Sequence, residues 1–216
     1  MTPGAAAPLV CLLDYGSGNV RSVANLLEYL RVEHRVSNEE ADIDAATHLV
    51  LPGVGAFGAA MEKIRQRIPL DRLTAAVHRE RKPFLGICVG MQVLADRGEE
   101  FGSHPGFGWI PGSVRRLQEH GLPVPHVGWN EVRACSPEAM LGPHAALDFY
   151  FVHSYVFAAH EQEHVVATTG YGEEFASIIR KGTIMGVQFH PEKSQKAGML
   201  LIRNFLRLGT VPTIGS

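Results

Sequence analysis

The chain of 216 residues is 45% hydrophobic and 19% charged, with a formal net charge of −2. That balance excludes a disordered chain, and so small a charge excludes bulk electrostatic recruitment to nucleic acid or an anionic membrane. Three cysteines, Cys11, Cys88 and Cys135, without short regular spacing exclude a disulfide framework and a zinc site built from thiolates.

The opening MTPGAAAPLVCLLDYG lacks a basic start, is broken by Pro8 and stops at Asp14, which makes it a poor signal peptide. No run approaches the roughly 20 apolar residues of a membrane span, so a reducing cytoplasm is the expected location. LVCLLDY (9–15) predicts a first strand, and the glycines of YGSGN lead into a helix over Val20–Arg31. THLVLPG (47–53) predicts a short buried strand. Phe57–Arg67 and Asp71–Arg81 predict helices separated by Pro69, PFLGI (83–87) a strand, and Val89–Asp96 the helix after it. From Gly98 to Pro143 the chain is rich in Gly, Pro and His with no helical period, predicting short strands and loops attached to the sheet. DFYFVHSYVF (148–157), HVVATTG (164–170), ASIIR (176–180) and TIMGVQF (183–189) predict strands, several of them antiparallel. Ser194–Leu208 predicts a closing helix with Leu200, Leu201, Phe205 and Leu208 on one face. The alternation points to an α/β fold: an open, mainly parallel twisted sheet flanked by helices, with additional antiparallel strands in the C-terminal half. Residues 9–208 are expected to form one domain, with a disordered leader over 1–8 and a tail over 209–216.

The stretch PFLGICVGMQVLAD places Cys88 between Gly86 and Gly90 where a strand meets a helix. Ligands of open α/β sheets gather at the carboxyl ends of strands. The Gly-x-nucleophile-x-Gly frame permits a sharp turn that pushes the side chain out and frees the next amide, that of Val89, to donate to an oxyanion. A buried, inert cysteine is the competing reading, and the pentapeptide alone does not choose between them. For Cys11, inside a strand, and Cys135, in an unpatterned region, the inert reading stands.

A thiol nucleophile needs a base. GVQFHPE (186–192) puts His190 after an apolar strand, and Pro191 biases it towards an extended conformation. Residues two apart on an extended segment share a side, so Glu192 can orient the imidazole while the imidazole takes the thiol proton. His153, in FVHSY, is the poorer base, having no acid two residues on, but can line the site. LPGVGAFG (51–58) matches neither a P-loop nor a dinucleotide fingerprint, and suits a backbone nest for an oxyanion or a carboxylate.

With Cys88, His190 and Glu192 assembled, GICVGMQ and GVQFHPE resemble the nucleophile and histidine–glutamate motifs of the class I (triad) glutamine amidotransferases. DYGSGN, LPGVGAFG, HVGWN (126–130), FVHSY and HPEKSQ further resemble the glutaminase subunits of imidazole glycerol phosphate synthase, from about Leu9 to Leu208. The resemblance implies that Cys88 attacks the side-chain amide of glutamine, His190 shuttles protons and Glu192 orients it. Gly53, Val54, Gly55 and Val89 would supply the oxyanion site, after reorientation of a peptide near Val54, and Gln92, His153, Ser154 and Tyr155 would hold the glutamine. Val89 stands where many relatives have leucine. The implied partner is a (β/α)8 cyclase subunit in a heterodimer, faced by Asn19, Trp129, Tyr150 and Lys193, with no cofactor, metal, nucleic acid or membrane. Three other readings compete: a glutaminase serving another synthase (guanylate, anthranilate or pyridoxal phosphate), a stand-alone γ-glutamyl hydrolase, and a non-catalytic binding module.

Overall fold

The computed structural model describes residues 7–16, 19–136 and 140–208. The expected leader and tail lie outside these residues, except for Ala7 and Pro8. In chain order come β1 (Leu9–Leu12), α1 (Val20–Tyr29), β2 (Glu33–Val36), α2 (Glu40–Ala45), β3 (His48–Gly53), α3 (Phe57–Arg67), α4 (Leu70–His78), β4 (Phe84–Cys88) and α5 (Val89–Gln92). There follow β5 (Arg97–Gly98), β6 (His104–Pro105), β7 (Gly112–Arg116), β8 (His126–Ala134), β9 (Ala146–His153), β10 (Tyr155–Ala159), β11 (Val165–Tyr171), β12 (Glu173–Lys181), β13 (Ile184–Val187) and α6 (Gln195–Phe205).

The main sheet has nine strands in the order β2-β1-β3-β4-β13-β12-β11-β8-β9. Its first five strands run parallel and the rest pair antiparallel. β3, β4 and β13 are buried at every residue, as strands covered on both faces must be. Helices cover those faces with apolar side chains at helical spacing: Val20, Val23, Ala24 and Leu27 on α1, and Phe57, Ala60, Met61 and Ile64 on α3. Each of these larger side chains, the alanines excepted, contributes about 1.5–3 kcal/mol when fully buried. A second sheet, in the order β10-β7-β5-β6, packs against the first where β10 meets β12.

Several expectations change in detail. β2 and α2 went unpredicted because β2 is a polar edge strand and α2 buries only Ile43. The helix expected over Asp71–Arg81 stops at His78, where Lys82 N–H bonds Ala76 O around Arg81 at φ +57°. The helix expected over Val89–Asp96 stops at Gln92, because the carbonyls of Val93, Leu94 and Ala95 accept from Phe107, Trp109 and Gly108. The region 98–143 holds a nine-residue strand, β8, and three strands of the second sheet. The single run 148–157 is two strands that part at Ser154, β9 in the main sheet and β10 in the second. On α6 the buried face is Gly198, Leu201, Ile202 and Phe205, with Leu200 and Leu208 only half-buried.

Candidate active site

The register of the parallel strands assembles the site. Gly53 at the end of β3 is the cross-strand neighbour of Cys88 at the end of β4. Val187, ending β13, is the neighbour of Ile87, so the segment Gln188–Glu192 emerges beside Cys88. Cys88 itself adopts φ +55° and ψ −111°, a conformation that non-glycine residues rarely hold. The two glycines make that bend possible by close approach. A Cβ at Gly90 would lie 1.9 Å from Leu51 O, and one at Gly86 would lie 2.2 Å from Gly90 O. Val89 opens α5 directly after Cys88, and the first amides of a helix have no intrahelical acceptor.

His190 and Glu192 meet as an extended pair. His190 Nδ1 lies 2.8 Å from Glu192 Oε1, both side chains being sealed from solvent. The backbone of His190 is fixed on either side, its N–H donating to Tyr150 O and its carbonyl accepting from Ser194 Oγ at 2.6 Å. Burial disfavours a charged imidazole, but hydrogen bonding and attraction from Cys88 and Glu192 outweigh it and raise His190 to about 10. Burial likewise pushes the Glu192 carboxyl up, and His190 and Asn19 together hold it below the ordinary range. With Nδ1–H committed to Glu192, Nε2 is the nitrogen left for proton exchange with the thiol.

Asn19, expected at a partner face, is 8% exposed and donates from Nδ2 to Glu192 Oε1 at 2.7 Å. Its 3.4 Å approach to His190 Nδ1 joins two N–H groups, so both donate to the same carboxylate oxygen rather than to each other. Of the other three expected partner residues, Trp129 is half-exposed and sits edge-on to Tyr150 at 6.1 Å. The Lys193 ammonium lies 5.8 Å from the centre of the Tyr150 ring.

A cavity of about 270 Å³ opens over Cys88. Of the residues expected around the substrate, Val54, Gly55, Val89, Gln92, His153, Ser154 and Tyr155 all line it, with Cys88 and His190; Gly53 lies behind Val54, out of the lining. Gln92 has its side-chain amide nitrogen engaged within the chain. Its Nε2 donates to Tyr155 O at 3.0 Å and to Gln188 Oε1 at 3.1 Å. His153 is no base: burial drives it down to about 3, and its Nδ1 is taken by Tyr155 O.

The sequence pattern of glutamine amidotransferase class-I matches residues 11–208. The chain belongs to the class-I glutamine amidotransferase family. Within that family it is 44% identical to the imidazole glycerol phosphate synthase subunit HisH of Moorella thermoacetica, over 91% of this chain and 93% of that protein. It is 41% identical to subunit HisH 2 of Pseudomonas aeruginosa, over 93% of this chain and all of that one. Among solved structures, a glutamine amidotransferase superposes with a TM-score of 0.73 at 21% identity, covering 94% and 99% of the two chains. PurLQS from Thermotoga maritima superposes with a TM-score of 0.70 at 15% identity, covering 94% and 99%. These structures share the fold, α/β with mixed sheets flanked by helices.

Three contributors to this amidotransferase site were not assigned from the sequence, Glu100 outside every motif and Gln188 and Val152 inside GVQFHPE and FVHSY. Glu100 is the only carboxylate among the lining residues, and its Oε2 accepts from Phe57 N–H, where α3 begins; in the sequence it reads as one of two ordinary surface acids. Gln188, fully buried, donates towards Cys88 Sγ at 3.8 Å. Val152 lines the cavity, and its carbonyl lies 3.9 Å from that sulfur.

Proposed function

We propose that this chain is the glutaminase subunit of an imidazole glycerol phosphate synthase, in histidine biosynthesis, that residues 9–208 are its one working domain, and that it acts in the cytoplasm. The observation that carries the chemistry is the convergence of a bent-out Cys88, a buried His190–Glu192 pair and a cavity with a single carboxylate. With the Cys88 proton already held on His190 Nε2, the thiolate Sγ attacks the side-chain carbonyl carbon of glutamine. The oxyanion meets the Val89 amide and the Gly53–Gly55 loop, His190 returns the proton to the departing nitrogen, and ammonia leaves a glutamyl thioester. Water, deprotonated by His190, then releases glutamate. Glu100 suits the α-ammonium of the substrate, and the Val152–Tyr155 segment walls the opposite side.

The partner in this reading is a cyclase subunit, and the surface beside the cavity suits it. Val127, Trp129, Tyr150 and Val152 share one face of the β8–β9 pair, with Val127 opposite Val152 and Trp129 opposite Tyr150. Val127 and Trp129 are about half-exposed, and Lys193 extends the patch to the cavity rim. An apolar patch of this kind, rimmed by charge, is what a stable partner covers. The HisH relatives, at 41–44% identity over nine-tenths of the chain, support this assignment over other amidotransferase partners.

The test is glutamate release from glutamine, with and without the cyclase subunit carrying its nucleotide ligand. Activity in the complex is expected; none in either state sinks the assignment. Activity surviving Cys88→Ala removes the mechanism.

A further inference from the structure

His126 and His153 are buried side by side, 3% and 6% exposed, in a cage formed by Phe151, Tyr171 and Phe175. His126 Nδ1 lies 3.0 Å from His153 Nε2, and His153 Nδ1 lies 3.0 Å from Tyr155 O. A carbonyl only accepts, so His153 carries its proton on Nδ1 and its Nε2 is bare. His126 must then donate from Nδ1, leaving its own Nε2 to accept from Asn130 Nδ2 at 3.3 Å. The other amide proton of Asn130 goes to Gly170 O. Every nitrogen is used and every bond points one way, from Asn130 to the Tyr155 carbonyl. An added proton on either ring would set two N–H groups against each other. Burial agrees, driving His126 to about 4 and His153 to about 3.

The end point of the chain matters because of where it lies. At Ser154 the backbone leaves one sheet for the other, with the Ser154 carbonyl held by the Leu117 N–H at 2.9 Å. The Tyr155 carbonyl accepts from two side chains, His153 on one side and Gln92 on the other. Gln92 continues to Gln188, which reaches Cys88.

We propose that His126 and His153 are positioning residues for glutamine: a neutral, one-directional hydrogen-bonded pair that fixes the Tyr155 carbonyl and, with it, the Val152–Tyr155 wall of the pocket. This rests on the glutaminase reading above, but it can fail separately.

The test sets two substitutions of His126 against each other, assayed in the complex with the cyclase subunit. His126→Phe keeps a ring between Phe151 and Tyr171 but removes the donor. His126→Asn gives up the ring but keeps an N–H near the place of Nδ1. A positioning role predicts that His126→Phe raises KM for glutamine about tenfold, with kcat within about threefold, and that His126→Asn recovers most of the loss. A packing role predicts the reverse order, and that order, or an unchanged KM in both, overturns the proposal. Nitrogen-15 NMR of the imidazoles gives a second readout that needs no turnover. His153 protonated on Nδ1 in the wild type and redistributing in His126→Phe supports the chain; an Nε2–H form in the wild type overturns it. Absence of glutaminase activity in the wild-type complex would fell the assigned function and leave the chain to be judged by the NMR.

Discussion

Cys88 holds φ +55° because the strand must become a helix within one residue, and that conformation costs any residue with a Cβ about 1–3 kcal/mol. Glycine is free of the cost. Replacing Ala by Gly ordinarily destabilises; here Cys88→Gly should be the more stable of the two inactive variants, by about 1 kcal/mol in denaturant unfolding. Cys88→Gly melting below Cys88→Ala would show that the elbow is unstrained. Asn19 offers a second test at this scale. Its bond to Glu192 is charge-assisted and buried, so Asn19→Ala should lower kcat about tenfold or more while leaving KM for glutamine nearly unchanged. A change confined to partner affinity would return Asn19 to the interface. The His190 pairing also sets a pH dependence of stability. Its pKa is about 10 here against about 6.5 in an unfolded chain. The stabilisation is therefore complete below about 6.5 and is lost as pH climbs through about 10. Glu192, held low, contributes above the ordinary carboxylate range and fails in acid. The stability gap between wild type and His190→Gln should shrink between about pH 7 and pH 10; a gap that widens would refute the pairing.

Among the elements, the β4–α5 junction leaves no room for an added methyl. Gly90→Ala drives a methyl to within 1.9 Å of the Leu51 carbonyl, which is itself held in a strand. A loss of about 1–3 kcal/mol in stability, together with glutaminase activity, is expected, and calorimetry on the purified variant measures it. This junction was legible in the sequence once a partner was found for it: two glycines around a cysteine suit a bent-out nucleophile, but alone they leave an inert thiol open. The same holds for the His-Pro-Glu segment. What stayed hidden depends on partners distant in sequence. The carbonyls that end α5 early are captured by residues 106–110, and nothing in VLAD announces that capture. DFYFVHSYVF alternates like one strand, yet it is divided because its halves find different neighbours, β8 for the first and β7 for the second. Glu100 and Gln188 are ordinary in composition and become site residues only through where the chain returns.

For the whole molecule, the nine-stranded sheet does two jobs with its two halves. The parallel half carries the nucleophile and the base at its strand ends, and the antiparallel half carries the pocket wall and the apolar face. Trp129 belongs to the second job alone. Trp129→Ala should leave the unfolding of the isolated chain unchanged and weaken binding of the cyclase subunit by about 2 kcal/mol, some thirtyfold in Kd by titration calorimetry. Unaltered affinity would move the docking face elsewhere. Val152 joins the two features of the antiparallel half, since it borders the cavity and also stands, 37% exposed, on the outer face. A cyclase subunit docked on that face, as proposed above, and a glutamine held in the cavity would both meet Val152, so no relay through the core would be required for each to sense the other. Linkage makes the traffic symmetrical: whatever factor docking adds to the affinity for glutamine, glutamine adds to the affinity of docking.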